Sequence, residues 1–357
     1  MHLVCQGRVH MRRVYGIIIL CTIFFIPILF LFSCEFSQDY PVDYEQLSED
    51  ERIVIRLSHV VADNTPKGMA ARKFAELIKE RSDGHIEVQV FSNGTLYKDG
   101  EEMNALLRGD VQLIAPATSK LTELVPELAV FDLPYAFNSL DEVHEFAFSD
   151  AGKKLTDKLE QHNLKVVGIW DSGFKQISNS VHPITHYRDL KNIRMRIMPS
   201  DVLAEQYRTV GAFPKRIDFN TVFNQLQKGN IDGQENTLTN IATKNLYSLQ
   251  DYLTISEHGY LGYYLLFNLE FWNRLPKDVQ QLLADTLKEV QEWEWDLTTQ
   301  LNQEKLETIE NCKCIQILYL TDEEKKEWEE VFQPVYQFYE ERYGKEFIDA
   351  LPKNKGL

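Results

Sequence analysis

An α/β fold with two lobes around a cleft is predicted for the 357-residue chain by three of its features. Segments of alternating apolar residues recur with amphipathic helical stretches between them, the order of βαβ units, so the sheet must be at least partly parallel. The pattern breaks after GFKQISNS and begins again at IRMRIM, giving two α/β groups with several crossings between them. A helical pattern then runs unbroken from Pro276 to Asn311. At ~1.5 Å per residue it reaches about 50 Å, enough to brace both groups.

The first strand lies in RIVIRLSHV, where Ile53, Ile55 and Leu57 alternate. Asn64 or Thr65 caps the following helix, with Pro66 in its first turn and Ala70, Phe74, Leu77 and Ile78 as its apolar stripe. After the turn at Ser82-Asp83-Gly84, IEVQVF alternates again. EEMNALLRGD reads as a short helix closed by Gly109, and VQLIAP and LKVVGIW as buried strands. In the second group IRMRIM and GYYLLFNL are strands, and DVLAEQYRTVG and FNTVFNQLQKG are helices. Along the long helix, Val279, Leu282, Leu283, Leu287, Val290, Trp293 and Leu297 form a broad apolar face rather than a heptad seam. Thr321 and Glu324 make a capping box for a last amphipathic helix.

The N-terminus is different material. Arg8, Arg12 and Arg13 precede the apolar run GIIILCTIFFIPILFLF, and no acid occurs before Glu35. This is the pattern of an export signal, with an uncleaved membrane anchor as the alternative. Leu31, Ser33 and Cys34 resemble a bacterial lipobox, which implies a lipoprotein signal peptide at 1–33 and an acyl chain on Cys34. Met11, directly before the two arginines and the apolar run, is an alternative start. Residues 34–51 are acidic and polar without apolar period, and suit a tether to a body that begins at 52.

The formal charge of −16 disfavours nucleic acid as a partner, because phosphate binding needs a basic footprint. A small anion needs only a local cluster of cations. The nine histidines are scattered, and Pro183 between His182 and His186 spoils helical metal-ligand spacing, so no metal is expected. No G-x-S-x-G, Walker A or G-x-G-x-x-G motif occurs, and neither catalytic centre nor cofactor is expected. Cys312 and Cys314 allow either a local disulfide or two ordinary thiols on one face of a strand at 314–320; we read them as thiols.

What does assemble is a binding constellation of Lys120, Lys175, Arg196, Phe219 and Asn236. The three cations fall at strand ends or edges, where ligands sit in open α/β sheets. A guanidinium can give a carboxylate two parallel hydrogen bonds, and the lysines can meet a second carboxylate.

The segments SHVVADNTPKG, LYKDGEEMNAL, FDLPYAF, WDSGFKQ, NIRMRI, NIDGQEN and HGYLGY, in this order over residues 52–340, resemble the solute-binding subunit of TRAP (tripartite ATP-independent periplasmic) transporters. The similar branch is the DctP type, which binds four-carbon dicarboxylates. The resemblance implies a periplasmic-binding-protein-like fold, with lobe I at 52–172 and 261–300, lobe II at 173–260 and 301–357, and a long helix spanning both. It implies a lipid-anchored receptor outside the cytoplasm, not an enzyme. The receptor would close on an organic acid and deliver it to small and large membrane subunits driven by an ion gradient. By the family's motifs, Arg196 grips the carboxylate and Arg194 is ancillary. Lys175, Lys120 and Asn236 make polar contacts, Phe219 packs on the ligand, and His59 falls near the pocket. Thr237 replaces a common proline after D-G-x-E-N, and IDFN replaces M-x-F-S. Malate, succinate and fumarate fit the charge balance. The rival expectations are a ligand-binding auxiliary of a membrane sensor and a secreted enzyme acting on small acids.

Overall fold

The computed structural model describes residues 52–352; the expected leader, the acylation of Cys34 and the tether lie outside them. The chain runs β1 (Ile53–Ser58), α1 (Pro66–Arg81), β2 (Ile86–Phe91), α2 (Glu102–Arg108), β3 (Leu113–Ile114), α3 (Leu140–Phe148), α4 (Asp150–Glu160), β4 (Leu164–Phe174) and β5 (Gln176–Asn179). It continues through β6 (Arg194–Ile197), α5 (Asp201–Thr209), β7 (Phe213–Arg216), α6 (Val222–Gln227), β8 (Gly233–Asn236), α7 (Leu238–Thr243), β9 (Tyr252–Ile255) and β10 (Tyr260–Asn268). The last elements are α8 (Leu269–Arg274), α9 (Lys277–Cys312), β11 (Gln316–Tyr319), α10 (Asp322–Val331) and α11 (Gln333–Tyr343).

Two sheets result, ordered β2-β1-β3-β10-β4 and β11-β9-β5-β8-β6-β7. Both neighbours of β1 run parallel to it, as the βαβ pattern requires, while β10 lies antiparallel between β3 and β4. In the second sheet β8, β6 and β7 are parallel, and β5 is antiparallel to both β8 and β9.

The chain passes between the sheets twice at one place. Only Lys175 separates β4 of the first sheet from β5 of the second, and residues 256–259 separate β9 from β10. The two passages lie side by side, with Lys175 N donating to Gly259 O at 2.8 Å. Just before the first passage Gly173 has φ +106°, and a Cβ there would meet Asn302 Nδ2 at 2.9 Å, so the bend requires glycine on both counts.

Helix α9, 36 residues long, spans about 54 Å and packs against α1, β4 and α7. Leu283, Leu287 and Val290 are buried as expected, but so are Gln291, Glu294 and Thr298, while Leu282, Trp293 and Leu297 are only half-buried. The cause is β4, an edge strand. Gln291 Oε1 accepts from Ile169 N at 2.7 Å, and Glu294 Oε2 from Asp171 N at 2.9 Å, closing an edge that apolar residues would leave unpaired.

Other departures are local. FNTVFNQLQKG divides into a 3-10 turn, Phe219–Thr221, and the short α6. VQLIAP keeps only Leu113 and Ile114 as strand. Cys312 and Cys314 are not thiols on a strand. Cys312 ends α9, Lys313 turns at φ +52°, and both exposed cysteines are joined in a disulfide with Cα atoms 5.2 Å apart. The left-handed turn reverses the chain and brings the pair within bridging distance.

Candidate functional site

The end of β6 places the key side chain. Along IRMRIM the strand turns Met195 into the core, while Arg194 reaches outward to a bidentate pair with Asp232, Nε to Oδ2 at 2.9 Å and Nη2 to Oδ1 at 2.5 Å. Arg196 is 2% exposed and donates from Nε to Ile217 O at 2.8 Å. Its two terminal nitrogens have no partner among the described residues. Burial lowers its pKa, yet a guanidinium stays charged. A buried, oriented guanidinium with its forked end unpaired has the geometry to take a carboxylate bidentately.

That end faces a cavity of about 40 Å³ between the two sheets. One wall comes from segments of the first sheet, with Lys67, Asp99, Glu102, Pro116 and Lys120; the other carries Arg196, Met198, Phe219, Asn236 and Asn240. Tyr263 of β10 completes the lining. A site of this size, in which a single water needs ~10–15 Å³, admits only a compact solute. A larger groove of about 580 Å³ lies over α3, β4 and α9, but its walls, such as Phe148, Val166 and Trp295, bring no comparable group of charges together.

Each expected residue has a definite place. Lys120 lines the cavity, with Nζ 3.1 Å from Asp99 and 2.8 Å from Asp218. Phe219 lines the cavity, and Lys244 Nζ lies 5.5 Å from its ring centroid. Asn236 Oδ1 accepts from Asn240 Nδ2 at 2.9 Å and from Thr237 N at 3.1 Å, leaving the amide NH₂ as the free donor. Lys175 does not line the cavity. It is fully buried, and its Nζ donates to Glu235 Oε1 at 2.8 Å. Glu235 also holds Tyr207 at 3.0 Å and His258 Nε2 at 2.9 Å, and Ser256 fixes the histidine's other nitrogen at 2.7 Å. Burial opposes charge on Glu235, but Lys175 and His258 outweigh it and hold its pKa at about 2. The lysine is consumed because it sits where the chain changes sheets, and a cation there must be paired. His59 is also fully buried and off the cavity wall; burial, helped by Lys67, pushes its pKa to about 3, so it is neutral.

Three residues escape a strand-end search. Lys67 Nζ donates to Ala115 O at 2.8 Å and lies 3.5 Å from the centroid of the Tyr263 ring. Burial lowers its pKa to about 8. Glu102 is 4% exposed, and burial raises its pKa to about 8 against the pull of Lys67. Asp99 Oδ2 accepts from Phe219 N at 2.6 Å, and Asp99 N donates to Asn220 Oδ1 at 2.9 Å, tying the two walls together. Lys67 and Glu102 sit in the first turns of helices, where their charges read as surface; the segments SHVVADNTPKG and LYKDGEEMNAL, which carry the family resemblance, contain all three residues without singling them out.

Residues 57–342 match the DctP family model, described as "Bacterial extracellular solute-binding protein, family 7". The chain belongs to this family. The C4-dicarboxylate-binding protein DctB of Bacillus subtilis is 45% identical over 309 residues, 87% of this chain and 88% of its own length. A TRAP periplasmic solute-binding protein from Shewanella oneidensis, solved with succinate, superposes with a TM-score of 0.81 at 37% identity, covering 84% of this chain and 98% of its own. Another from Pseudomonas aeruginosa, solved with L-malate, gives 0.78 at 32% identity, covering 80% and 99%. The DctP fold, two-lobed in these neighbours, accounts for the paired sheets, the double passage and α9.

Proposed function

We propose that this DctP-family chain captures a four-carbon dicarboxylate in the cavity between its sheets and delivers it to small and large TRAP membrane subunits. Arg196 carries the reading: it is buried, anchored through Nε, and has both terminal nitrogens free toward a cavity that also holds Lys67 and Lys120. Arg196 takes one carboxylate bidentately, and the lysines meet the other. Phe219 and Tyr263 pack on the short carbon chain, and the Asn236 amide donates from the opposite wall. The succinate and malate bound by the solved relatives support this ligand class. The bonds of Asp99 to Phe219 and Asn220, and the Lys120–Asp218 pair, hold the walls together when the ligand is enclosed.

The protein acts outside the cytoplasm, as periplasmic relatives do, and the lipid on Cys34 holds it at the membrane. Replacing Cys34 by serine should move the protein from the membrane fraction to the soluble one. Calorimetry of the full chain in detergent against succinate, malate, fumarate, monocarboxylates and sugar acids tests the ligand class. Tight binding confined to four-carbon dicarboxylates is expected, and its absence would overturn the proposal. Turnover of any of these acids would instead support a catalytic role.

A further inference from the structure

Glu102 is out of place in a cavity built for an anion. It projects from the first turn of α2, is 4% exposed and lines the same cavity as Arg196 and Lys67. Its Oε1 is enclosed without a hydrogen-bond partner. The hydroxyl of Ser58 on β1 lies close enough to favour the charged form slightly, but it too lacks a partner in good geometry.

The charges facing the cavity do not balance around an ionised Glu102. Among the residues lining the cavity, Asp99 pairs with Lys120, which also reaches the half-exposed Asp218 outside the lining. Lys67 and Arg196 remain, two positive charges for the two negative charges of a dicarboxylate. An ionised Glu102 would be a third, surplus anion beside the ligand in a dry site, where an unpaired charge is strongly disfavoured. As a neutral acid it would satisfy both requirements, leaving the charge balanced and giving its enclosed carboxyl a partner.

We infer that Glu102 carries a proton when the dicarboxylate is bound and donates a hydrogen bond from its carboxyl O–H to a ligand oxygen. This rests on the dicarboxylate reading above. The proton comes from solvent, and no covalent bond is made or broken. Burial already raises Glu102 to about 8 in the free protein, against Lys67, with Asp99 assisting and Ser58 and Lys120 opposing. Below that pH the acid is ready. Above it the ligand must bring a proton in, and affinity should fall by about tenfold per pH unit. Lys67, itself near 8, loses its charge in the same range and also weakens binding, so a variant must separate the two groups.

The experiment is calorimetric titration of the full chain with succinate at pH 7 and pH 9 in buffers of different ionisation enthalpy, for wild type and Glu102→Gln. At pH 9 the wild type should take up on the order of one proton more per succinate than the variant, and at pH 7 the two should bind within about tenfold of each other. Equal proton uptake, or a loss exceeding roughly a hundredfold at pH 7 in a folded variant, would show that the ionised carboxylate is the working form and overturn the inference. If the variant does not fold, infrared difference spectra of the wild type with succinate at pH 9, where free Glu102 is mostly ionised, decide. A protonated-carboxyl band that follows ligand binding supports the assignment, and its absence overturns it. Succinate binding without these proton effects removes only the role of Glu102; failure of every four-carbon dicarboxylate to bind removes the function as well.

Discussion

Arg194 and Arg196, two residues apart on β6, show how neighbours take different work. Arg194 is half-exposed and satisfied by Asp232, whereas Arg196 is buried and satisfied only at Nε. Arg196→Lys keeps the charge but loses the fork, and should weaken succinate binding by roughly 10–100-fold with little change in the ligand-free melting temperature. Unchanged affinity in calorimetry would move the carboxylate elsewhere. Lys175 is the opposite case. Lys175→Met strands Glu235 with His258 and Tyr207 as its remaining partners, and should cost about 3–5 kcal/mol in ligand-free denaturant unfolding. Lost binding with unchanged stability would show instead that the lysine reaches the ligand.

Helix α9 illustrates the next level, where a polar face can be the buried one. Burial, followed by the nearby Asp171, raises the pKa of Glu294 well above the ordinary carboxylate range. An acid raised on folding stabilises fully below its unfolded pKa and less as pH climbs through the folded one. Glu294→Gln keeps an acceptor for Asp171 N and removes the titration. The variant should therefore melt above the wild type, with a gap that widens as pH rises from about 4.3. A gap that shrinks with pH in thermal scans would mean that the ionised form is the stabilising one. The apolar period of α9 was legible, but the choice of Gln291 and Glu294 as the face toward β4 was not, because the need came from an edge strand over a hundred residues away.

For the whole molecule, the walls of the cavity belong to segments far apart in the chain and meet through few bonds. Asn220 accepts from Asp99 N at 2.9 Å and donates to Asn93 O at 3.3 Å. Asn220→Ala removes both and should lower ligand affinity by about tenfold while leaving the ligand-free melt nearly unchanged. A loss of stability without loss of affinity, read from melts and calorimetry together, would make these bonds structural rather than part of enclosure.

Local periodicity and capping residues were enough for the βαβ order, the long helix and the last capping box. Motif residues marked Arg196, Lys120, Phe219 and Asn236, four that do line one cavity. These are properties that a short stretch of chain carries within itself. Lys67 and Glu102 became visible only when folding brought the first turns of α1 and α2 to the cavity that Arg196 and Tyr263 also line, and Lys175 left the cavity wall only when the double passage brought Glu235 and His258 to it. Burial and pairing of a charge depend on what folds over it, so the tertiary structure alone decided which cations were free for a ligand and which were already taken.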